Sequence, residues 1–239
     1  MKFDKMRVLQ TGKNVGAWNM AVDEFLLGCK EPVLRIYGWS RPCVSIGYFQ
    51  GIDDINYEKC VKEKIDVVRR STGGGAVFHD AELTYSFVTK NFPQNILRSY
   101  EEICQVIIGA LEKLGLAAEF SPLNDVTVNG RKVCGNAQTR KNGRLLQHGT
   151  ILLDVNAKLM FSLLNVPQEK IQDKQITNPR DRVVGIGKKF DEVADALKNS
   201  ARETFGCLLV PYYLEKYELE ACDKIMRERY CTRQWTCKR

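Results

Sequence analysis

"RRSTGGGAVFHDAELTYSF", residues 69–87, places three consecutive glycines between a pair of arginines and a histidine. Its first residues complete "IDVVRRST", 65–72, a short β-branched run of the kind that forms a buried strand, and "LTYSFVT", 83–89, just after the glycines is another, so the glycines join strand to strand. A glycine run lets the backbone take φ > 0 and turn successive N–H groups toward one point, a concavity suited to a phosphate or carboxylate. It is not a nucleotide P-loop, because G-x-x-x-x-G-K-[ST] is absent, and it is not a dinucleotide fingerprint, because no helix opens after the last glycine. Three glycines alone fit a tight hairpin turn equally well, and the flanks favour the cradle. Arg69 and Arg70 are neighbours on a strand and point to opposite faces, so one reaches over the cradle with its planar fork and the other serves the structure.

Outward from this loop the chain alternates strands and helices. "VGAWNMAVDEFLLGC", 15–29, has helical spacing, and "PVLRIYGW" and "CVSIGYF" predict a strand pair joined at "SRP". Helices are predicted over 56–64 and from Ile96 to Leu114, with Gly115 as the stop. "DVTVNGRKVCGNAQTR" carries Asn129-Gly130 between alternating segments, a strong hairpin signal, and "KNGR" at 141–144 turns the chain into "LLQHGTILLDV". Residues 168–189 are polar and basic with weak periodicity, the profile of a long surface loop or lid. Helices return over 191–204 and 215–229, with a break at Pro211 and its tyrosines. Strands and helices mix without strict βαβ alternation, which predicts the α+β class in one domain spanning 1–239.

The 239 residues, 44% hydrophobic, can bury a substantial core. No apolar run approaches the roughly 18–20 residues of a membrane span, and the start lacks the apolar core of a signal peptide, so a soluble cytoplasmic protein without a membrane partner is expected. Nine cysteines form no C-x-x-C pair and point to reduced thiols; two histidines, His79 and His148, offer no zinc spacing. The net charge of +7 comes with no polybasic run and no nucleic-acid module, so it suits an acidic partner or anionic ligand, and no nucleic-acid partner is expected.

In "NGRKVCGNAQ", strand alternation puts Lys132 and Cys134 on one face, with Arg131 and Val133 on the other. An inward lysine needs an anion; a surface lysine at a hairpin end is the plainer alternative. Gly135 and Ala137 are small enough for a ligand to lie against the strand, and Asn124-Asp125 is either a turn or a ligand-binding amide and carboxylate.

Taken together, "RRSTGGGAVFHD", "NDVTVNGRKVCGNAQTR" and "QHGTILLDV" resemble the lipoate-protein ligase A branch of the biotin and lipoate ligase superfamily, and "NMAVDEFLL", "LRIYGWSRPCVSIGYFQ" and "RERYCTRQW" are similar to its large catalytic domain. The resemblance implies an α+β fold like class II synthetases and biotin protein ligases, with mixed sheets flanked by helices. It implies that lipoate or octanoate is activated with ATP and Mg²⁺ to an acyl-adenylate, lipoyl-AMP in the case of lipoate. Transfer to a lysine of an acceptor lipoyl domain follows, such as the glycine cleavage H protein or a 2-oxoacid dehydrogenase E2. By the same resemblance Arg70, Gly73, Gly74, Gly75 and Ala76 form the loop against the adenylate with His79 at its base. Asn124 and Asp125 face nucleotide and metal, Gly135, Asn136 and Ala137 lie beside the ligand with His148, and Lys132 touches the phosphate and the acyl carbonyl. Full ligases of this type append a small accessory domain, which is not expected in this chain; the resemblance then leaves three options, that a separate subunit supplies it, that the chain performs only the transfer step from a preformed acyl-adenylate, or that it uses a different acyl donor.

The octanoyltransferases of the same superfamily are the close rival: they take the acyl group from a carrier thioester through a cysteine, without ATP. "HDAELTYSF" and "NAQTRKNGRLLQHG" look more like them. Their thiol, however, is expected in the segment that reads "AAEFSPLND" here or in the one that reads "RLLQ", and neither holds a cysteine. The third glycine and "ND" also favour the ligase, leaving Cys134 as the remaining nearby thiol, expected to be a packing residue. A binding protein without turnover is disfavoured by the intact lysine and loop. The sequence therefore leads to an ATP-dependent ligase, with an ATP-independent octanoyl- or lipoyltransferase as the alternative.

Overall fold

The computed structural model describes residues 1–165 and 182–239. Eleven strands among them form two sheets. The larger runs in the order β11 (Leu208–Tyr212), β1 (Lys5–Asn14), β2 (Val33–Trp39), β6 (Glu82–Thr89), β10 (Arg144–Leu152), β9 (Arg131–Lys141), β8 (Asp125–Val128) and β7 (Ala118–Ser121). The smaller has β3 (Cys43–Ile46) between β4 (Asp66–Arg69) and β5 (Val77–His79). β1 is parallel to β11 and β2, and β3 is parallel to β4, while the other pairs are antiparallel. The expected α+β class with mixed sheets and flanking helices is what the chain adopts.

Helices cover both faces of the large sheet. α3 (Ile96–Lys113) and α5 (Phe190–Phe205) lay Ile103, Ile107, Leu111, Val193 and Leu197 on Leu34, Ile36, Tyr85 and Phe87. On the other face α1 (Gly16–Leu26) sets Val22 and Leu26 against Val33, Val88 and Leu146. The alternation of Val33 with Leu34 between two cores is the period-2 pattern of a strand covered on both sides. α2 (Tyr57–Lys62) and α4 (Ala157–Leu163) close a third core over the small sheet. Asn56 and Asn95 accept from the amides of Lys59 and Arg98 and so cap α2 and α3. α6 (Lys216–Ile225) and α7 (Arg233–Thr236) finish the chain.

The two predicted hairpins form as expected. Asn129 and Gly130 (φ 51° and 73°) turn β8 into β9, and Asn142 and Gly143 (φ 52° and 69°) turn β9 into β10, which fits type I′ turns. The predicted pairing of "PVLRIYGW" with "CVSIGYF" does not form: β2 joins the large sheet and β3 the small one. β1 and β11 were not foreseen, and Pro211 lies within β11 at the edge of the sheet, where a missing N–H costs no ladder bond. Of the predicted loop at 168–189, the part up to residue 181 lies outside the described residues; the remainder is irregular, with the Val184 amide donating to the Lys132 carbonyl at 3.0 Å.

Candidate active site

The glycine loop links β4 to β5, the two outer strands of the small sheet, and faces the β9–β10 region of the large one. Gly74 takes φ 89°, and among the described residues the amides of Gly73, Gly74 and Gly75 donate to no protein acceptor. Those N–H groups remain available to a ligand, as the cradle reading requires.

Neither arginine reaches over the cradle. Arg70 is buried and spends its fork on the protein: Nε donates to Thr72 Oγ1 at 3.1 Å, one terminal nitrogen to the Ser45 carbonyl and hydroxyl at 3.0 and 3.2 Å, and the other to the Gly73 and Gly75 carbonyls at 2.7 Å each. It holds the loop by these two carbonyls and also lines the cavity. Burial pulls its pKa down to about 10, which leaves it charged at neutral pH. Arg69, wholly buried, donates to the carbonyls of Gly47, Gln50, Trp235 and Thr236. That ties the C-terminal segment to the loop after β3.

Both histidines sit in hydroxyl–imidazole–carboxylate chains anchored on Arg70. His148 Nδ1 lies 3.0 Å from Asp23 Oδ2 and its Nε2 lies 2.7 Å from Thr72 Oγ1. His79 Nδ1 lies 2.5 Å from Glu82 Oε1 and its Nε2 lies 2.7 Å from Ser45 Oγ, while its ring stacks on Trp39 at 3.8 Å. Burial is the main cause that pushes the His148 pKa below its ordinary value, with Arg70 and His79 acting the same way against the upward pull of Asp23. A neutral ring that donates from Nδ1 to Asp23 and accepts the Thr72 hydroxyl at Nε2 fits this environment. Burial opposes ionisation of Asp23, yet the Arg35 guanidinium 2.7 Å away and hydrogen bonds from His148 and Ser86 hold its pKa below the ordinary value.

Lys132 owes its direction to a β-bulge. Val126 pairs with Cys134 and Thr127 with Lys132, so Val133 is the extra residue on β9. The predicted shared face is thereby undone. Cys134 is buried in the core with Cys104, whereas Lys132 turns to the side of Gly135 and Ala137 and lines the cavity with them. Its Nζ is 2.7 Å from Asp125 Oδ1, an otherwise buried oxygen that takes no well-aligned hydrogen bond. The absent side chain of Gly135 leaves room for this ammonium.

The cavity brings together Arg70, Gly74, Gly75, Ala76, His79, Asn124, Lys132, Gly135, Asn136, Ala137 and His148. Of the expected residues, Gly73 and Asp125 do not line it; Asp125 faces an adjoining cavity that shares Lys132 and Gly135. Asn124 and Asn136 clasp each other: the Asn136 amide and side chain donate to the Asn124 carbonyl at 3.0 and 2.9 Å, and the Asn124 side chain donates to the Asn136 carbonyl. Sequence reasoning missed the inner wall, Met20, Tyr37, Trp39, Ser45, Thr84 and Thr150. Ser45, a hydroxyl inside the otherwise apolar β3, was the available signal; Thr84 stood out less, because β6 also carries Glu82, Ser86 and Thr89. Asp125 was expected to face a metal; its carboxylate is already neutralised by Lys132, and among the described residues no three His, Cys, Asp or Glu side chains gather as a metal site. A single neutralised carboxylate is a poor cage for a divalent cation on its own, and no step is drawn through one.

Comparison with known proteins identifies this architecture. The pattern of the lipoyl protein ligase A/B catalytic domain matches residues 16–202. The chain belongs to this family of enzymes. Within the lipoyl protein ligase A/B family it is 34% identical to the octanoyltransferase LipM of Halalkalibacterium halodurans, over 98% of this chain and 99% of that one. It is 33% identical to LipM of Bacillus subtilis over the whole of both chains. The bi-partite lipoate protein ligase of Thermoplasma acidophilum superposes with a TM-score of 0.87 at 28% identity, covering 99% of this chain and 97% of that one. A lipoate-protein ligase A bound with ATP gives 0.84 at 25%, covering 99% of each. The full-length similarity to octanoyltransferases overturns the expectation of an ATP-dependent ligase that forms an acyl-adenylate. That expectation gave decisive weight to missing thiols, to "ND" and to the third glycine, which are local features, against the transferase-like "HDAELTYSF" and "NAQTR".

Proposed function

We propose that this protein is an ATP-independent acyltransferase of lipoylation, moving an octanoyl or lipoyl group from a carrier thioester to the ε-amine of a lysine on an acceptor lipoyl domain. The observation that carries this reading is the similarity to octanoyltransferases along the whole chain. The site agrees with it. Met20, Tyr37 and Trp39 give the cavity an apolar inner wall suited to an acyl chain. Lys132 and the unspent amides of the glycine loop offer positive charge and N–H donors where a carbonyl oxygen would gain charge as an amine attacks.

The acceptor lipoyl domain enters because the superposed Thermoplasma acidophilum ligase was studied with its E2 lipoyl domain. The test supplies octanoyl carrier protein and an acceptor lipoyl domain to the purified chain, with and without ATP. Octanoylation of the acceptor at the same rate in both arms supports the proposal. A further arm replaces the carrier with free octanoate and ATP, and octanoylation that appears only there sinks the proposal.

A further inference from the structure

An acyltransferase either parks the acyl group on its own nucleophile or brings donor and acceptor together. The first route through sulfur requires a thiolate that reaches the substrate. All nine cysteines fall within the described residues, and none lines the cavity. Cys134, nearest to Lys132 in sequence, is carried into the core by the bulge, where burial pushes its pKa well above the ordinary thiol value. Cys104, the thiol beside Asn136, is likewise buried and pushed up to about 12 by burial. A thiol so placed is protonated at neutral pH and shielded from substrate.

The second route requires room for two chains at one reacting carbon, and the structure provides it. The acyl-sized cavity with Met20 and Trp39 on its inner wall meets a second cavity, lined by Asp125, Phe161 and Leu164, and Lys132 and Gly135 belong to both. Lys132 therefore stands at the junction, where one ammonium serves a carbonyl approached from two sides.

Resting on the acyltransferase reading above, we propose that transfer in this chain is a single displacement, in which the acceptor lysine's amine attacks the donor thioester directly while Lys132 holds the carbonyl oxygen. The C–N bond forms and the C–S bond breaks. The electron pair leaves on sulfur, and the proton shed by the amine ends on that sulfur, releasing the carrier thiol. No residue of this chain is acylated, and nothing is oxidised or reduced. The Ser45 hydroxyl, held by His79 and Arg70, is the rival nucleophile within the cavity wall.

The deciding experiment varies octanoyl carrier protein and acceptor domain together. Initial rates that give intersecting double-reciprocal lines are expected, since both substrates must be bound at once; parallel lines overturn the proposal. Alongside it, the intact mass of the chain is measured after incubation with octanoyl carrier protein alone. An unchanged mass is expected. An octanoyl adduct overturns the proposal, and neutral hydroxylamine then separates a cysteine thioester, which it cleaves, from a Ser45 ester, which it leaves. The Cys104→Ser and Cys134→Ser variants are expected to keep transfer within about twofold. Should either fail to fold, the kinetics and mass of the wild type decide alone. Absence of any ATP-free transfer defeats the acyltransferase reading itself and this mechanism with it, whereas transfer with a covalent adduct defeats the mechanism only.

Discussion

The ammonium of Lys132 lies in the space a side chain at Gly135 would fill: a Cβ built there falls 2.6 Å from Nζ and 2.7 Å from Cε. Gly135→Ala meets only the flexible end of a lysine, so a stability loss below about 1 kcal/mol is expected. Displacing the group that steadies the reacting oxygen is another matter, and transfer is expected to fall ~10- to 100-fold. Thermal melting and the octanoyl-transfer rate, measured on one preparation, check the two halves separately. An unimpaired rate removes Lys132 from the proposed role.

Deletion of the ammonium itself is the harsher change. Lys132→Ala is expected to lower the transfer rate by ~10²–10³, the usual cost of losing one oxyanion donor. Asp125 then loses its ion-pair partner. Lys132→Arg is not expected to restore the rate, because a planar fork does not fit the point position that Gly135 leaves open. Single-turnover rates with all three proteins make the comparison.

Gly47 and Gly75 are expected to behave oppositely. A Cβ at Gly47 falls 2.0 Å from the Gly74 carbonyl oxygen, so Gly47→Ala must move the glycine loop's backbone, at a cost of ~1–3 kcal/mol and with loss of transfer. A Cβ at Gly75 meets nothing within 4 Å, and Gly75→Ala is expected to fold with wild-type stability. Denaturant midpoints of the pair test this.

These contrasts also show what the sequence could carry. The Asn129-Gly130 and Asn142-Gly143 turns were legible because each needs a local φ > 0 that glycine and asparagine supply. The separation of β2 from β3 was not, because pairing partners are chosen by distant strands, β6 for one and β4 and β5 for the other. Lys132, Gly135 and Ala137 were recognised as site residues, yet the bulge that gives them a common face left no mark in the alternation, and simple parity placed Cys134 with Lys132 instead. Arg70 was singled out for its fork, but its partners, the carbonyls of Gly73 and Gly75, are backbone atoms whose positions no residue type announces.

Arg69 is the staple between the loop after β3 and the C-terminal segment. Its guanidinium reaches carbonyls on both, the Trp235 indole donates back to the Arg69 carbonyl at 2.8 Å, and the Ile52 amide donates to the Arg239 carbonyl at 3.1 Å. Arg69→Ala leaves several buried carbonyls without donors, and a loss of ~2–3 kcal/mol or more is expected. Limited proteolysis should then cut the segment after Thr232 sooner than in the wild type, and equal protection of both proteins tells against the staple.

The buried chain from Arg35 through Asp23, His148 and Thr72 to Arg70 gives stability a definite pH dependence. His148 has a folded pKa below its ordinary 6.5, so between that folded value and 6.5 the unfolded chain binds more protons than the folded one. Stability contributed by this group is therefore complete above 6.5 and declines as the pH falls through that window. Asp23, also depressed, acts in the same sense lower down: its contribution is present above its ordinary 3.8 and is lost as the pH falls further toward the folded value. The titratable and charged groups facing the ring, Asp23, Arg70 and His79, stay in place in His148→Gln, which removes one titrating imidazole. Urea denaturation at a series of pH values from 8 down to about 5 should show the wild type losing stability below its plateau and the variant losing less. Parallel slopes for the two proteins show that His148 does not set the dependence.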